Sequence, residues 1–435
     1  MSGRVVAILV GVLALLIGAV VLTQPKGAGS NQMAQEVRRL VDAPPSQIGA
    51  IEVREKDDSF VLISADGAWD GWLVSWGGPA GRGSGAWPAS ESTRNAGARI
   101  LSNTQLQRGP EADLASASEV YIQSVDGNLL TSMDVGARAL AGLLPVRVHG
   151  SERWMAVGRE VGDFLKADAL LMWRDPSLLP GFDANVSSIS IGHSDLVLLS
   201  LKRVGKNWSL TYPVAEHADQ GAVQALLEGL IGMRSDSFTD AQVEGEIRTL
   251  TMTQPGQSDR GDRQYTLISG ADSRVVDVSL SLLNGDERIE VARTRLSVSD
   301  ELDQLLAIDP AEFISKRLLG VPASEIERFS VTPVGGGEPV QVSSRGTSGW
   351  EGTGAAYADA WSTLLTERLA DTVLLGGEEF EPTHEITLQR FGGLDLGSYA
   401  ITYDKERGVL WIGKDHVWRG YSAGAGGLDL GLELD

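Results

Sequence analysis

One pattern of residues recurs three times along this chain, and it limits the possible folds more than any other feature. In each copy, two short segments with the alternation of β-strands lead to a glycine-containing turn and a tryptophan, which is Trp69, Trp208 or Trp350. The tryptophans recur about every 140 residues, whereas solenoid repeats are roughly 20–50 residues long. The pattern therefore predicts duplicated domains, with chance recurrence of common hairpin residues as the alternative.

The middle copy shows the pattern most clearly. Strand-like alternation over residues 186–212 gives way after Pro213 to the 3.6-residue period of a helix. Asp219 stands just before that helix and is predicted to cap it, because its carboxylate can accept hydrogen bonds from the first free backbone N–H groups. Helical periods over residues 91–106 and 356–369 occupy the same place in the other two copies.

These segments predict an α+β fold of three tandem related modules, each an antiparallel sheet with a packed helix, after one N-terminal transmembrane helix. The predicted modules are residues 46–180, 181–320 and 321–435. A chain of this length is too long for one hydrophobic core. The last module ends in a glycine-rich, acidic tail over residues 424–435, which is predicted to fray.

The amino terminus contains a segment suited to a membrane. Residues 5–22 are apolar and uncharged, and as a helix they would span about 27 Å, close to the thickness of the hydrocarbon core. A cleaved signal peptide is the alternative, but the run ends without a small-x-small cleavage site. We therefore predict a membrane anchor in residues 1–24, a linker in residues 25–45 and a single-pass protein of the bacterial cytoplasmic (inner) membrane, with its bulk extracytoplasmic.

Charge and cysteine content exclude several classes of function. The net charge is −21 and no long basic run occurs, so a nucleic acid partner would be repelled, because phosphate binding needs clustered Lys and Arg. The chain has no cysteine, which removes disulfides, thiolate metal sites and cysteine nucleophiles.

Familiar catalytic and metal-binding motifs do not occur in the sequence. His384-Glu385 begins like a zinc-protease signature, but Leu388 holds the position of the second histidine. No Gly-x-Ser-x-Gly elbow or Walker loop is present, and the acidic clusters lack the spacing of a calcium loop. We therefore predict no catalytic, cofactor-binding or metal-binding residues and a non-enzymatic protein. A hydrolase whose histidines and carboxylates converge from distant segments is the enzymatic alternative.

Tryptophans crowd the first module. Trp69, Trp72, Trp76 and Trp87 lie near a glycine-rich segment. Exposed indole rings could stack on sugar rings or anchor a protein partner, whereas packing in the core is the alternative. We predict Trp72, Trp76 and Trp87 as candidate glycan or partner contacts. The glycan hypothesis requires that at least one of these three is exposed.

The middle copy resembles a family of uncharacterised bacterial repeat-domain proteins that have one N-terminal membrane helix and an exported region. The residues that carry the resemblance form a Gly-x-x-Trp-x-Leu-x-x-Pro…Ala-Asp-x-x-x-Val-x-x-Leu-Leu-x-x-Leu signature: Gly205, Trp208, Leu210, Pro213, Ala218, Asp219, Val223, Leu226, Leu227 and Leu230. The first copy departs from the signature through an insertion, and the third lacks the Pro and a clear Ala-Asp.

Members of that family are associated with gliding-motility-type ABC transporters. The resemblance implies an auxiliary or structural subunit of an ABC-type envelope transport or surface assembly, with a protein partner in the complex. It supplies no catalytic residues. A glycan-binding envelope protein that uses the Trp-rich first module is the alternative function.

Overall fold

The structure is a computed structural model, and it describes most of the chain after the predicted linker. The described residues are 38–56, 59–66, 71–78, 84–109, 114–139, 142–162, 164–256, 261–270, 274–376, 380–422 and 430–432. No helix in these ranges is long and apolar enough to cross a membrane. The predicted anchor, residues 5–22, lies outside them, as do Trp69 and most of the acidic tail.

Strands dominate the described chain. The first unit has β1 (Ile48–Glu55), β2 (Phe60–Asp66), β3 (Gly71–Gly77), β4 (Gly85–Pro88), β5 (Gln107–Arg108), β6 (Ser116–Ser124), β7 (Leu129–Gly136), β8 (Leu143–Val148) and β9 (Met155–Gly158). The second unit has β10 (Ser188–His193), β11 (Leu196–Val204), β12 (Asn207–Tyr212), β13 (Glu216–His217), β14 (Ser237–Phe238), β15 (Ile247–Gln254), β16 (Asp262–Gly270), β17 (Val275–Asn284) and β18 (Glu287–Ser297). The third unit has β19 (Ile326–Pro333), β20 (Gln341–Gly346), β21 (Gly349–Glu351), β22 (Thr372–Leu375), β23 (His384–Arg390), β24 (Leu394–Asp404), β25 (Val409–Lys414) and β26 (Val417–Ser422).

Among the described residues the helices are fewer than the strands. The α-helices are α1 (Glu91–Asn103), α2 (Arg159–Gly162), α3 (Ala167–Leu171), α4 (Gln220–Gly232), α5 (Glu301–Leu306) and α6 (Ala358–Thr366). Single 3₁₀ turns are formed by Pro45–Gln47, Pro310–Phe313, Ala323–Glu325 and Ala355–Tyr357.

The predicted α+β class, with a sheet and a packed helix in each module, is wrong. Strands contain 49% of the described residues and helices 17%, and the strands form two large antiparallel sheets. The prediction relied on the helical periods and assigned no strands over residues 247–297. That segment forms the four long strands β15 to β18. These strands and their counterparts in the other two units make the protein mostly β.

One strand order recurs in all three units. The first strand (β1, β10 or β19) pairs on one side with the next strand and on the other side with the start of a four-stranded meander at β6, β15 or β23. A short strand before the meander (β5, β14 or β22) pairs with the meander's last strand. The module boundaries predicted from the sequence remain a prediction.

The buried apolar side chains form three clusters that follow the units but cross their junctions. The cluster of the second unit includes Leu73 and Trp87 from the first unit, as well as Val373 and Val417 from the third. The first two units also share a strand pairing, in which Ala86 of β4 lies opposite Arg293 of β18. This pairing joins them into one 18-stranded sheet, whereas the third unit has its own 8-stranded sheet.

Two local predictions have clear outcomes. Asp219 caps α4 as predicted, because its Oδ1 accepts a hydrogen bond from Ala222 N at 2.9 Å. The predicted fraying is wrong for the described part of the tail, residues 430–432. The Leu430 side chain is buried, and the buried Gln341 amide donates hydrogen bonds to the carbonyls of Leu430 (2.7 Å) and Gly431 (2.9 Å).

Candidate functional site

A cleft of about 980 Å³ lies at the junction of the first and second units. Its volume is in the upper part of the range of ligand pockets. The first unit contributes β3, the start of β4 and the residues in and after α3, while the second unit contributes β14, β17 and β18. Ala86 and Arg293, whose pairing joins the two units, both line the cleft. The cleft therefore exists only because these two units are joined.

Arg174 is held in this cleft by aromatic rings. Its Cζ lies 3.7 Å from the ring centre of Phe238 and 4.8 Å from that of Trp76, and its Nε donates to the carbonyl of Leu171 at 2.9 Å. Each cation–π contact contributes about 0.5–2 kcal/mol, more where water is excluded. Arg174 is therefore fixed in position by contacts from both units.

The charge of Arg174 has no direct partner within the described chain. No carboxylate there forms an ion pair with it, and its two Nη atoms have no hydrogen bond. Burial lowers the pKa of Arg174 to about 10, and the nearby charge of Asp240 opposes this effect only in part. The side chain is still cationic at neutral pH, and it carries its charge in a partly desolvated place.

The two other arginines of the cleft share one carboxylate. Asp277, which is 7% exposed, accepts two hydrogen bonds from Arg293, at 2.9 and 3.0 Å, and lies 3.4 Å from Nε of Arg295. The hydrogen bonds with Asp277 raise the pKa of Arg293. Arg295 also donates to the carbonyl of Asp240 at 3.3 Å. This group is therefore satisfied internally, unlike Arg174.

Carboxylates also line the cleft. Asp168, Asp240 and Glu290 are exposed or half-buried there, together with the buried Asp277. Three guanidinium groups thus face four carboxylates in one concave surface. The described lining contains no histidine, and the described chain holds no group of three or more His, Asp or Glu residues placed to bind a metal ion. The arrangement is suited to recognising a ligand that carries charges of both signs.

The predicted tryptophans lie on β3 and β4, but only one of them lines the cleft. Trp76 is half-buried, with Arg174 over its ring and the backbone of Gly85 against its edge. Trp72 is half-buried under the guanidinium of Arg94, at 5.3 Å.

The third candidate is inside the protein. Trp87 is fully buried, and its Nε1 donates to the carbonyl of Asp175 at 2.8 Å. Trp87 packs in the core that the first two units share and cannot stack on a ligand. Of the three candidates, Trp76 is therefore the one that the structure places in the cleft.

Sequence reasoning missed the charged residues of the cleft. Arg293 and Arg295 alternate along β18 with the buried Ala292 and Leu296, and this period of two could have identified a polar strand face there. Arg174 offers no comparable signal, because its contact with Phe238 depends on how two units meet.

The histidines do not line this cleft, and two of them have separate carboxylate neighbours. His149 lies 3.5 Å from Asp134 on the sheet of the first unit, and His193 lies 2.8 Å from Glu246 in the second unit. A second cavity of about 650 Å³, between the second and third units, is lined by His217 among others.

Comparison of the chain with protein-family models, with curated proteins and with solved structures finds no match. The resemblance of the middle copy to the bacterial repeat-domain family therefore stays a prediction that rests on its signature residues.

Proposed function

We propose that this chain is a non-enzymatic, membrane-anchored extracytoplasmic protein that binds a protein partner in the cleft between its first two units. In this proposal it is an auxiliary subunit of an ABC-type envelope transport or surface assembly. The observation that carries the binding role is Arg174, a cation held by Trp76 and Phe238 that forms no ion pair with a carboxylate of the described residues.

A partly desolvated charge without a counter-ion supports a binding role for physical reasons. Taking a charge out of water costs free energy unless the charge is paired, so buried charges are normally paired. Perturbed titratable groups in clefts are candidates for functional sites. Arginine and aromatic residues are also enriched among the residues that dominate protein interfaces. A partner that brings an anion to Arg174 would recover the desolvation cost.

The cellular setting of the proposal rests on two sequence features. The apolar run of residues 5–22 supports an anchor in the cytoplasmic membrane, and the signature of the middle copy supports a place beside an ABC-type transporter. Tethering to the membrane would raise the effective concentration of the cleft near a membrane partner, so a weak contact would suffice.

The alternative, a glycan-binding protein, has less support from the geometry. A sugar ring stacks on an open indole face. Trp87 has none, and guanidinium groups lie over the rings of Trp72 and Trp76. The experiment below therefore distinguishes recovery of a glycan from recovery of a protein partner.

The experiment is affinity capture of the full-length, membrane-extracted protein from its host, in wild-type and Arg174→Ala forms. Arg345→Ala is the matched control, because Arg345 also lies over a tryptophan, Trp350, at 4.5 Å, but belongs to the third unit. We expect wild type and Arg345→Ala to recover transporter membrane subunits, and Arg174→Ala to recover at least about tenfold less, as for an interface hot spot.

Two results would contradict the proposal. Equal recovery of the same partner by Arg174→Ala would place the contact outside the cleft. Recovery of cell-wall glycan alone would favour the alternative function.

A further inference from the structure

We infer that the cleft recognises a carboxylate group of a polypeptide partner, that Arg174 binds this carboxylate, and that a basic residue next to it in the partner faces Asp240 and Glu290. The inference rests on the proposed function, since it names the chemistry that the partner must bring to the cleft.

The guanidinium of Arg174 has hydrogen-bond donors without an acceptor among the described residues. A guanidinium is planar and offers paired N–H donors that match the two oxygens of a carboxylate. Arg293 shows this geometry in the same cleft, with two hydrogen bonds to Asp277. Arg174 has no equivalent acceptor among the described residues. A ligand carboxylate could accept two hydrogen bonds from Arg174, as Asp277 does from Arg293.

Arg174 is held in position before any ligand binds. Two rings and the carbonyl of Leu171 fix its guanidinium. A long side chain that is free in solution loses conformational entropy when it binds a ligand, and a fixed one has already lost it. The free Nη donors of Arg174 are therefore pre-organised for a ligand.

The charges that line the cleft limit the sign and number of charges on the ligand. Four carboxylates line the cleft beside three arginines, and the whole chain carries a net charge of −21. Both facts disfavour a phosphate, which carries more negative charge than a carboxylate. Asp240 and Glu290 would in turn attract a cation beside the bound carboxylate. A polypeptide segment with adjacent acidic and basic side chains meets both requirements.

The test uses dye-labelled octapeptides and the full-length protein in detergent, with binding measured by fluorescence anisotropy at physiological salt. One peptide alternates Glu and Lys, a second alternates Gln and Lys, and a third alternates Glu and Gln. We expect the Glu–Lys peptide to bind most tightly. Loss of the carboxylates in the Gln–Lys peptide should weaken binding at least about tenfold. The Glu–Gln peptide should bind with intermediate affinity.

Protein variants show whether the effect comes from this cleft. Arg174→Ala should weaken binding of the Glu–Lys peptide at least about tenfold. Arg174→Lys should weaken it by less, because lysine keeps the positive charge but lacks the paired N–H donors of the guanidinium. Arg345→Ala should bind like wild type. Inorganic phosphate and acetate are added as competitors, and acetate should displace the peptide at least as well as phosphate.

Several results would overturn the inference: equal binding of the Gln–Lys peptide, unchanged binding by Arg174→Ala, stronger competition by phosphate, or no peptide that binds with a Kd below about 1 mM, which corresponds to about 4 kcal/mol of binding free energy. These failures differ from a failure of the proposed function. If Arg174→Ala loses its captured partner while the peptides show no dependence on Glu, the cleft is an interface that recognises something else. If Arg174→Ala changes neither assay, both proposals fail.

Discussion

Arg419 and Glu216 form an ion pair at 3.1 Å between the third and second units, although 203 residues separate them in the sequence. The Arg419 side chain is 1% exposed, and its Nε also donates to the carbonyl of Ser315 at 2.9 Å. Arg419 lies on β26 of the third unit, whereas Glu216 and Ser315 both precede that unit in the sequence. The guanidinium of the third unit is therefore held by two oxygen atoms from outside it. This contact fixes the third unit against the second.

Glu216→Ala should therefore destabilise the protein strongly. It leaves the guanidinium of Arg419 buried without a counter-ion, and breaking a buried pair from one side costs about 3–5 kcal/mol. The measurement is the free energy of unfolding from denaturant titration. Arg274→Ala is the control, because it breaks the Arg274–Asp300 pair, in which both side chains are about two-thirds exposed. This control should cost less than about 1 kcal/mol. Similar losses for the two variants would show that the junction does not depend on Glu216.

Replacing the cap of α4 should have a moderate effect. Asp219→Ala removes the acceptor for Ala222 N, and losing such a cap costs about 0.5–2 kcal/mol. Ser90→Ala is the matched variant at the N-terminus of α1, where the Ser90 side chain forms no capping hydrogen bond. Thermal unfolding should therefore show a lower Tm for Asp219→Ala and little change for Ser90→Ala. The opposite order would mean that the two helix ends are stabilised by packing instead of by their side-chain caps.

Two helical glycines should respond in opposite directions to alanine. A Cβ on Gly97 of α1 would overlap the ring of Trp173, which is buried at 2% exposure. Gly97→Ala should therefore cost about 1–3 kcal/mol by overpacking, despite the better helix propensity of alanine. Gly232 ends α4 and has no atom within 4 Å of the added Cβ, so Gly232→Ala should be neutral or stabilise by up to about 1 kcal/mol. Denaturant titration of both variants checks the difference, and a stabilised Gly97→Ala would contradict the packing at Trp173.

Part of the fold could be predicted from the sequence because its signals are local. The change of period after Pro213 and the carboxylate of Asp219 depend on residues within one or two turns, and α4 with its cap is present in the structure. The strands β15 to β18 carry a readable alternation, such as the buried Val276, Val278 and Leu280 of β17. A fold class based on the helical periods omits these strands, and for this reason the predicted α+β class is wrong.

The candidate site was harder to predict because it forms between units. Trp76 could be identified as a candidate from the crowding of tryptophans. Its neighbours Arg174 and Phe238 come from segments that meet only when β4 pairs with β18, through Ala86 and Arg293. No local period encodes such a contact. Trp87 lies in the same tryptophan-rich segment as Trp76, yet it is fully buried, whereas Trp76 is half-buried at the cleft.

Two buried tyrosines should differ in what their hydroxyl groups contribute at neutral pH. The hydroxyl of Tyr265 donates to the carbonyl of Pro180 at 2.9 Å, whereas that of Tyr421 has no partner in the described chain. Tyr265→Phe should lose about 1–3 kcal/mol, because the hydroxyl also has a hydrogen bond with the charged side chain of Arg263. Tyr421→Phe should be neutral or stabilising, because it removes a buried polar group that is not satisfied. Equilibrium unfolding at pH 7 compares the two variants, and a larger loss for Tyr421→Phe would contradict this assignment.

Tyr421 should also make the protein sensitive to alkali. Burial raises the pKa of Tyr421 to about 12, although the nearby Arg419 opposes the effect. The unfolded chain releases this proton near pH 10, its ordinary value, while the folded chain retains it. The stability of the folded protein therefore does not depend on this proton below pH about 10, and it falls as the pH rises from 10 towards 12. Each pH unit in this window should cost up to about 1.4 kcal/mol.

Tyr421→Phe should lose less stability than wild type between pH 10 and 12. The measurement is denaturant titration at each pH, and tyrosinate absorbance follows the ionisation. Equal losses in the two proteins would show that Tyr421 ionises equally well in the folded and unfolded states.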